Sequence, residues 1–222
     1  MIKLIEEYIE ILKPFVLELF KKDSSGHDIT HLERTMNTAI YLSNKEGGET
    51  TLIGVAAFLH DIHRIMENET GKFVSPKESL PKVREILTHI SLTIEEVNKI
   101  CYMIEYHEEY NWNNSNVSDL NTLILQDADN LDAIGAIGIG RTFSYGGSHN
   151  YKMYDSTRPI DETNTFQEES NSDDSTIHHF YHKLFKLGEF MNTKTASSLA
   201  LKRTEFMKLF VKEFLDEWNA KY

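Results

Sequence analysis

The amino-acid sequence predicts an all-α fold, built as one domain over residues 1–222. Three observations carry that prediction. Apolar residues recur every three or four positions along nearly the whole chain, the spacing of amphipathic helices. Two capping boxes, Ser75-Pro76-Lys77-Glu78 and Thr93-Ile94-Glu95-Glu96, mark helix starts. No internal repeat and no second domain is visible.

The first helix carries Ile2, Ile5, Ile9, Leu12, Val16 and Leu19 on one stripe. A second repeats the pattern through Ile29, Leu32, Met36, Ala39 and Ile40, and Gly47-Gly48 ends it. The third starts near Thr50 and runs through Leu52, Val55, Ala56 and Leu59 into His60-Asp61. The two capping boxes open the next helices, the second leading into Val97, Ile100, Cys101 and Ile104. Another helix runs through Leu120, Leu123, Ile124 and Leu131, and the last starts near Thr195. In the last helix Phe206, Phe210 and Phe214 read as core. Residues 144–175, rich in Ser, Gly, Asn, Asp and Thr, read as one long irregular loop. The glycines at 135, 138 and 140 follow no strand and lack dinucleotide-motif spacing, so they indicate close packing or a turn.

Composition narrows the function. The chain has 35 acids against 23 bases, a formal charge of −12, which opposes broad binding to nucleic acid or anionic membranes. A local basic pocket for a small phosphate remains compatible with it. The single cysteine, Cys101, precludes an intramolecular disulfide and fits a reducing compartment. No apolar run reaches the roughly 20 residues of a membrane span. Glu6, Glu7, Glu10 and Glu18 interrupt the N-terminal apolar pattern, unlike a signal peptide. A cytoplasmic location is expected. The apolar helix faces exceed what one core needs, which admits a homodimer.

Four segments gather histidine and acid on helices otherwise built for packing: 26–34, 58–64, 106–110 and 126–132. Each has a plain explanation alone: Asp28 as a helix cap, Asp61 as an ion-pair partner of Arg64, His107 as a hydrogen-bonded core residue, Asp127 as surface charge. Together they suggest a cation site. An aspartate leaving the apolar helix at 55–59 is costly to bury unless it is paired or coordinates a cation. Imidazole nitrogen with carboxylate oxygen suits a divalent transition ion. Asp127, Asp129 and Asp132 lie beside Leu123, Ile124 and Leu131 and would repel one another without a cation.

The order His31, His60-Asp61, Asp129 resembles the H…HD…D signature of the HD-domain superfamily of metal-dependent phosphohydrolases. Further stretches resemble one branch of small HD hydrolases: Gly-His-Asp-x-x-His-x-x-Arg at 26–34, Tyr-His at 106–107, Asp-Ala-Asp-x-Leu-Asp-Ala-Ile-Gly-Ala at 127–136, and Gly-Arg-Thr-Phe at 140–143. The segment 180–193 does so too, and the resemblance covers roughly residues 20–215.

The resemblance implies His31, His60, Asp61 and Asp129 as metal ligands. Asp127 or Asp132 is an alternative fourth ligand; the Ala128-Asp129-Asn130-Leu131 context favours Asp129. Asp132 is then a water-orienting carboxylate and His107 a proton donor to the leaving group, with Asp61 in the catalytic set. Phosphate oxygens need positive charge or donors, for which His27, Arg34, Arg64, Arg141 and Lys183 are candidates. His63 is expected behind the ligands or at the surface; His149, His178, His179 and His182 are lesser candidates for substrate contact. The ion expected is Mn²⁺, with Mg²⁺, Fe²⁺, Co²⁺ and Ni²⁺ as alternatives. The activity implied is hydrolysis of a small phosphorylated substrate, a nucleoside triphosphate above all, to monophosphate and pyrophosphate. The alternatives are a 5′-nucleotidase, a phosphodiesterase, or a non-catalytic ligand-binding module of the same fold.

Overall fold

Helices built on these stripes make up the computed structural model, which describes residues 2–21, 28–110, 116–160 and 175–221. Its contacts divide into two compact units, Met1–Asp129 and Asn130–Tyr222. Among the described residues there is no strand, only an isolated bridge between Lys152 and Ser175.

In the first unit, α1 (Ile2–Phe20) buries Ile5, Ile9, Leu12, Val16 and Phe20, one face at helical spacing. α2 (Ile29–Glu46) is capped by Asp28, whose carboxylate accepts the His31 N–H at 3.0 Å. It stops at Gly47, where φ is 95°, a conformation that strains any side-chain-bearing residue. α3 (Thr50–Leu59) is apolar all round, and every residue from Leu52 to Leu59 is buried. It is the central rod, with α1, α2 and α6 (Ile94–Tyr106) packed against it.

α4 (Ile62–Thr70) follows after the His60-Asp61 corner and packs on α5 (Pro76–Leu87), which lies against α6. Both capping boxes form. The Glu78 carboxylate accepts the Ser75 N–H at 2.8 Å, and the Glu96 carboxylate accepts the Thr93 N–H at 2.7 Å. α7 (Leu120–Asp132) begins in this unit and ends in the second.

The second unit holds α8 (Gly135–Ser148), the short α9 (Thr176–His179), a π turn over Phe180–Leu184, α10 (Phe185–Leu187) and α11 (Lys194–Trp218). α8 packs on α11, where Phe143 meets Phe210 and Phe214 with ring centroids 6.0 Å apart. Two expectations change here. The irregular segment starts later than residue 144, because α8 stays helical through Gly146 and Gly147 to Ser148. Phe206 is not core: it is 50% exposed, and the buried positions of α11 are Ala196, Ala200, Thr204, Met207 and Val211.

Candidate metal centre

The first unit brings together side chains from three places in the chain. His31 sits in the first turn of α2, held there by the Asp28 cap. His60 and Asp61 form the corner between α3 and α4, where the buried rod ends. Asp129 comes from α7.

His31 Nε2 lies 3.3 Å from Asp61 Oδ2 and 3.5 Å from Asp129 Oδ1. His60 Nε2 lies 3.6 Å from Asp61 Oδ1 and 3.7 Å from Asp129 Oδ1. His31 and His60 are fully buried and Asp61 almost so, while Asp129 keeps a partly open edge.

These separations are long for hydrogen bonds. The two shorter ones fall within the roughly 3.0–3.5 Å that separates neighbouring ligands on one ion with bonds of about 2.1 Å, and the two longer ones lie just beyond it. His60 Nε2 is buried with no hydrogen-bond partner, an expensive arrangement for a protein-only site. The donor set of imidazole nitrogen and carboxylate oxygen, without thiolate, fits a divalent cation such as Mn²⁺.

The electrostatics agree. Burial alone would lower the His60 imidazole, but Asp61 and Asp129 beside it raise it to about 9. Burial would raise the Asp129 carboxyl, yet His60 and His31 hold it far below the usual carboxylate range. The two carboxylates and two imidazoles form a group that could hold a cation.

Hydrogen bonds around the cluster fix the orientation of its side chains. His60 Nδ1 donates to the Ala57 carbonyl at 2.8 Å, which leaves Nε2 facing Asp61 and Asp129 and carrying the lone pair once that nitrogen is deprotonated. Tyr110, buried, donates its hydroxyl to Asp129 Oδ2 at 3.1 Å. Gln126 donates from Nε2 to the carbonyls of Tyr106 and Glu109, both at 3.0 Å, fastening the end of α6 to α7. Sequence reasoning gave Tyr110 and Gln126 no role, although both stand in the segments it singled out.

His107, the residue after α6, is fully buried and forms a ligand-like group with His60 and Asp61. Its Nδ1 donates to the Ile104 carbonyl at 2.7 Å, and its Nε2 has no hydrogen-bond partner. Burial, with His60 and His63 adding to it against Glu108, pushes this imidazole down to about 4. With Nδ1 committed to a carbonyl, that shift favours a neutral ring whose Nε2 can accept.

His63, expected behind the ligands or at the surface, is fully buried; its Nδ1 contacts the His60 carbonyl at 3.2 Å and its Nε2 stands 3.4 Å from Glu108 Oε1. Arg64 does not take Asp61 as its hydrogen-bond partner. It reaches Glu67 at 2.9 Å with one nitrogen and Glu108 with the other. Burial opposes the charge on Glu108, but His63, His107 and Arg64 bring its carboxyl down to about 2.

The other expected site residues are not in this cluster. Arg34 donates to Thr30 Oγ1 at 2.9 Å. Asp127 is fully buried on α7 but belongs to none of the ligand-like groups among the described residues. Asp132 and Arg141 form a 3.0 Å ion pair in the second unit, which also holds Lys183 in its π turn. His178 and His182 are buried in that unit, His178 Nδ1 lying 2.9 Å from Ser175 Oγ. His27 lies outside the described residues.

Comparison with known proteins gives a consistent set of relatives. Residues 28–134 match the family model of the HD domain. An HD-superfamily hydrolase from Bacillus thuringiensis is 36% identical, covering 97% of this chain and 99% of its own, with a TM-score of 0.73. A Lactobacillus plantarum protein is 33% identical over 97% of this chain and 98% of its own, with a TM-score of 0.76. YpgQ of Bacillus subtilis, solved in complex with ADP, is 26% identical over 96% and 95% of the two chains, with a TM-score of 0.70.

Proposed function

Since this chain belongs to the HD superfamily of hydrolases, we propose that it is a metal-dependent phosphohydrolase of nucleotides, converting a nucleoside triphosphate to the monophosphate and pyrophosphate. The observation that carries the reading is the buried His31, His60, Asp61 and Asp129 cluster, with nitrogen–oxygen separations of 3.3–3.7 Å. The nucleotide preference is supported by the ADP complex of the B. subtilis relative.

A divalent ion, Mn²⁺ in this reading, supplies Lewis acidity toward a phosphate oxygen and lowers the pKa of water at the site. The protein supplies the rest. His31, His60, Asp61 and Asp129 hold the cation, and Tyr110 fixes the rotation of Asp129. His107, neutral and with its Nδ1 proton committed to a carbonyl, offers Nε2 to a water O–H and orients it.

Arg64, whose guanidinium pairs with Glu67 and Glu108, is one candidate positive charge for a phosphate. Arg34 is a further phosphate donor of this unit, and within the second unit Asp132 sets the Arg141 guanidinium.

The test is a hydrolysis screen on chelator-stripped protein resupplied with single metals, across a nucleotide panel, with products separated. Activity restored by Mn²⁺, yielding pyrophosphate, is expected. Orthophosphate as the only product would move the reading to a nucleotidase. A His60→Ala, Asp61→Ala protein that kept metal and activity would end it.

A further inference from the structure

Beyond the ligands of the proposed metal lies a second set of donors. His63, His107 and Glu108 place one ligand atom each within 4.8 Å of one another. His63 Nε2 and His107 Nε2 are both buried without a hydrogen-bond partner. Both rings are turned by the same device that turns His60. Nδ1 contacts the main-chain carbonyl three residues earlier, at 3.2 Å for His63 and 2.7 Å for His107. That fixes the tautomer with the lone pair on Nε2, the form in which histidine binds metal.

Two aimed imidazoles and a carboxylate form a three-donor site for a divalent ion of the N/O-binding class. Something cationic already stands on it. The Arg64 guanidinium bonds Glu108 Oε1, the same oxygen that lies 3.4 Å from His63 Nε2.

Charge decides which cation wins. The ligand-like groups contain three carboxylates, Asp61, Asp129 and Glu108. One divalent ion and one guanidinium supply three positive charges against them. A second divalent ion would leave an excess of two and would sit against Arg64 in a poorly screened pocket.

We propose that His63, His107 and Glu108 form a second divalent-cation site, which Arg64 occupies in place of a metal, so that the native protein holds one ion tightly and a second only after Arg64 is removed. The proposal rests on the metal reading above and adds a stoichiometry to it. Arg64 is thus an internal competitor at the second site as well as a source of positive charge for phosphate.

Co²⁺ is the probe, followed by equilibrium dialysis and by its visible absorption, on the full chain. Wild type should bind one Co²⁺ per chain. Arg64→Met should bind two, the second at least about 100-fold more tightly than any second ion in wild type. Adding Glu108→Gln should return the count to one. Retention of the first ion reports that each variant is folded. If Arg64→Met fails to fold, Arg64→Gln removes the charge while keeping a donor toward Glu108. A count of one in the folded Arg64 variant, or two equally tight ions in wild type, overturns the proposal. A count of zero in wild type instead overturns the metal reading on which it rests.

Discussion

Replacing Tyr110 by phenylalanine removes one oxygen atom and leaves the ring that fills its buried position. The lost oxygen is the donor to Asp129 Oδ2 at 3.1 Å. A hydrogen bond to a charged group contributes about 1.5–3 kcal/mol net, and about 1.4 kcal/mol is a tenfold change in an equilibrium constant. Freed from that bond, Asp129 can rotate away from the oxygen position that faces His31 and His60. The expected outcome is Mn²⁺ affinity weakened about 10- to 100-fold, the range typical for removing a partner behind a metal ligand. Titration of chelator-stripped Tyr110→Phe with Mn²⁺, read by the loss of the free-ion paramagnetic resonance signal, measures it directly. A folded variant whose Kd stays within twofold of wild type would refute the argument that Tyr110 aims Asp129.

Metal binding should release a proton and tighten as pH rises toward 9, because His60, raised from 6.5 to about 9, must be deprotonated to ligate; proton release in two buffers of different ionisation enthalpy measures it. In the metal-free protein the same shift stabilises the fold fully below pH 6.5 and ceases to do so as pH climbs through about 9, so the apo melting temperature should fall across that window. Gly138→Ala should cost about 1–3 kcal/mol by chemical denaturation, since a Cβ there would stand 2.3 Å from the Ala133 carbonyl oxygen. Thr93→Ala should cost about 1 kcal/mol in the same assay, because its hydroxyl caps α6 by accepting the Glu96 N–H at 3.2 Å.

The legible part of this protein was what local spacing encodes. Ile5, Ile9, Leu12 and Val16 recur on one helical face and are all buried. Thr93 and Glu96 form the reciprocal cap their spacing predicts. The rest depends on what meets a residue across space. Gly146 and Gly147 read as loop, yet a helix continues through them. A Cβ on Gly146 would lie 2.5 Å from Thr176 Oγ1, so the glycine serves a close approach from a segment thirty positions away.

The acidic run on α7 shows the same divide. Asp127 and Asp129 are about 200° apart around a helix and cannot serve one face, but sequence alone does not say which face holds the histidines. In the folded chain His31 and His60 face Asp129. Tyr110 reaches that carboxylate from nineteen positions earlier, a distance over which hydrophobic periodicity carries no information.

The rings of His60, His63 and His107 are all steered by carbonyls of the main chain, at residues 57, 60 and 104. Their pointing is thus a property of helix geometry and not of any neighbour's side chain. Residues at 57 and 104 can drift among helix-compatible apolar types while the imidazoles keep their bearing. Chemistry anchored in this way tolerates a remodelled interior, provided the turns that carry it stay wound.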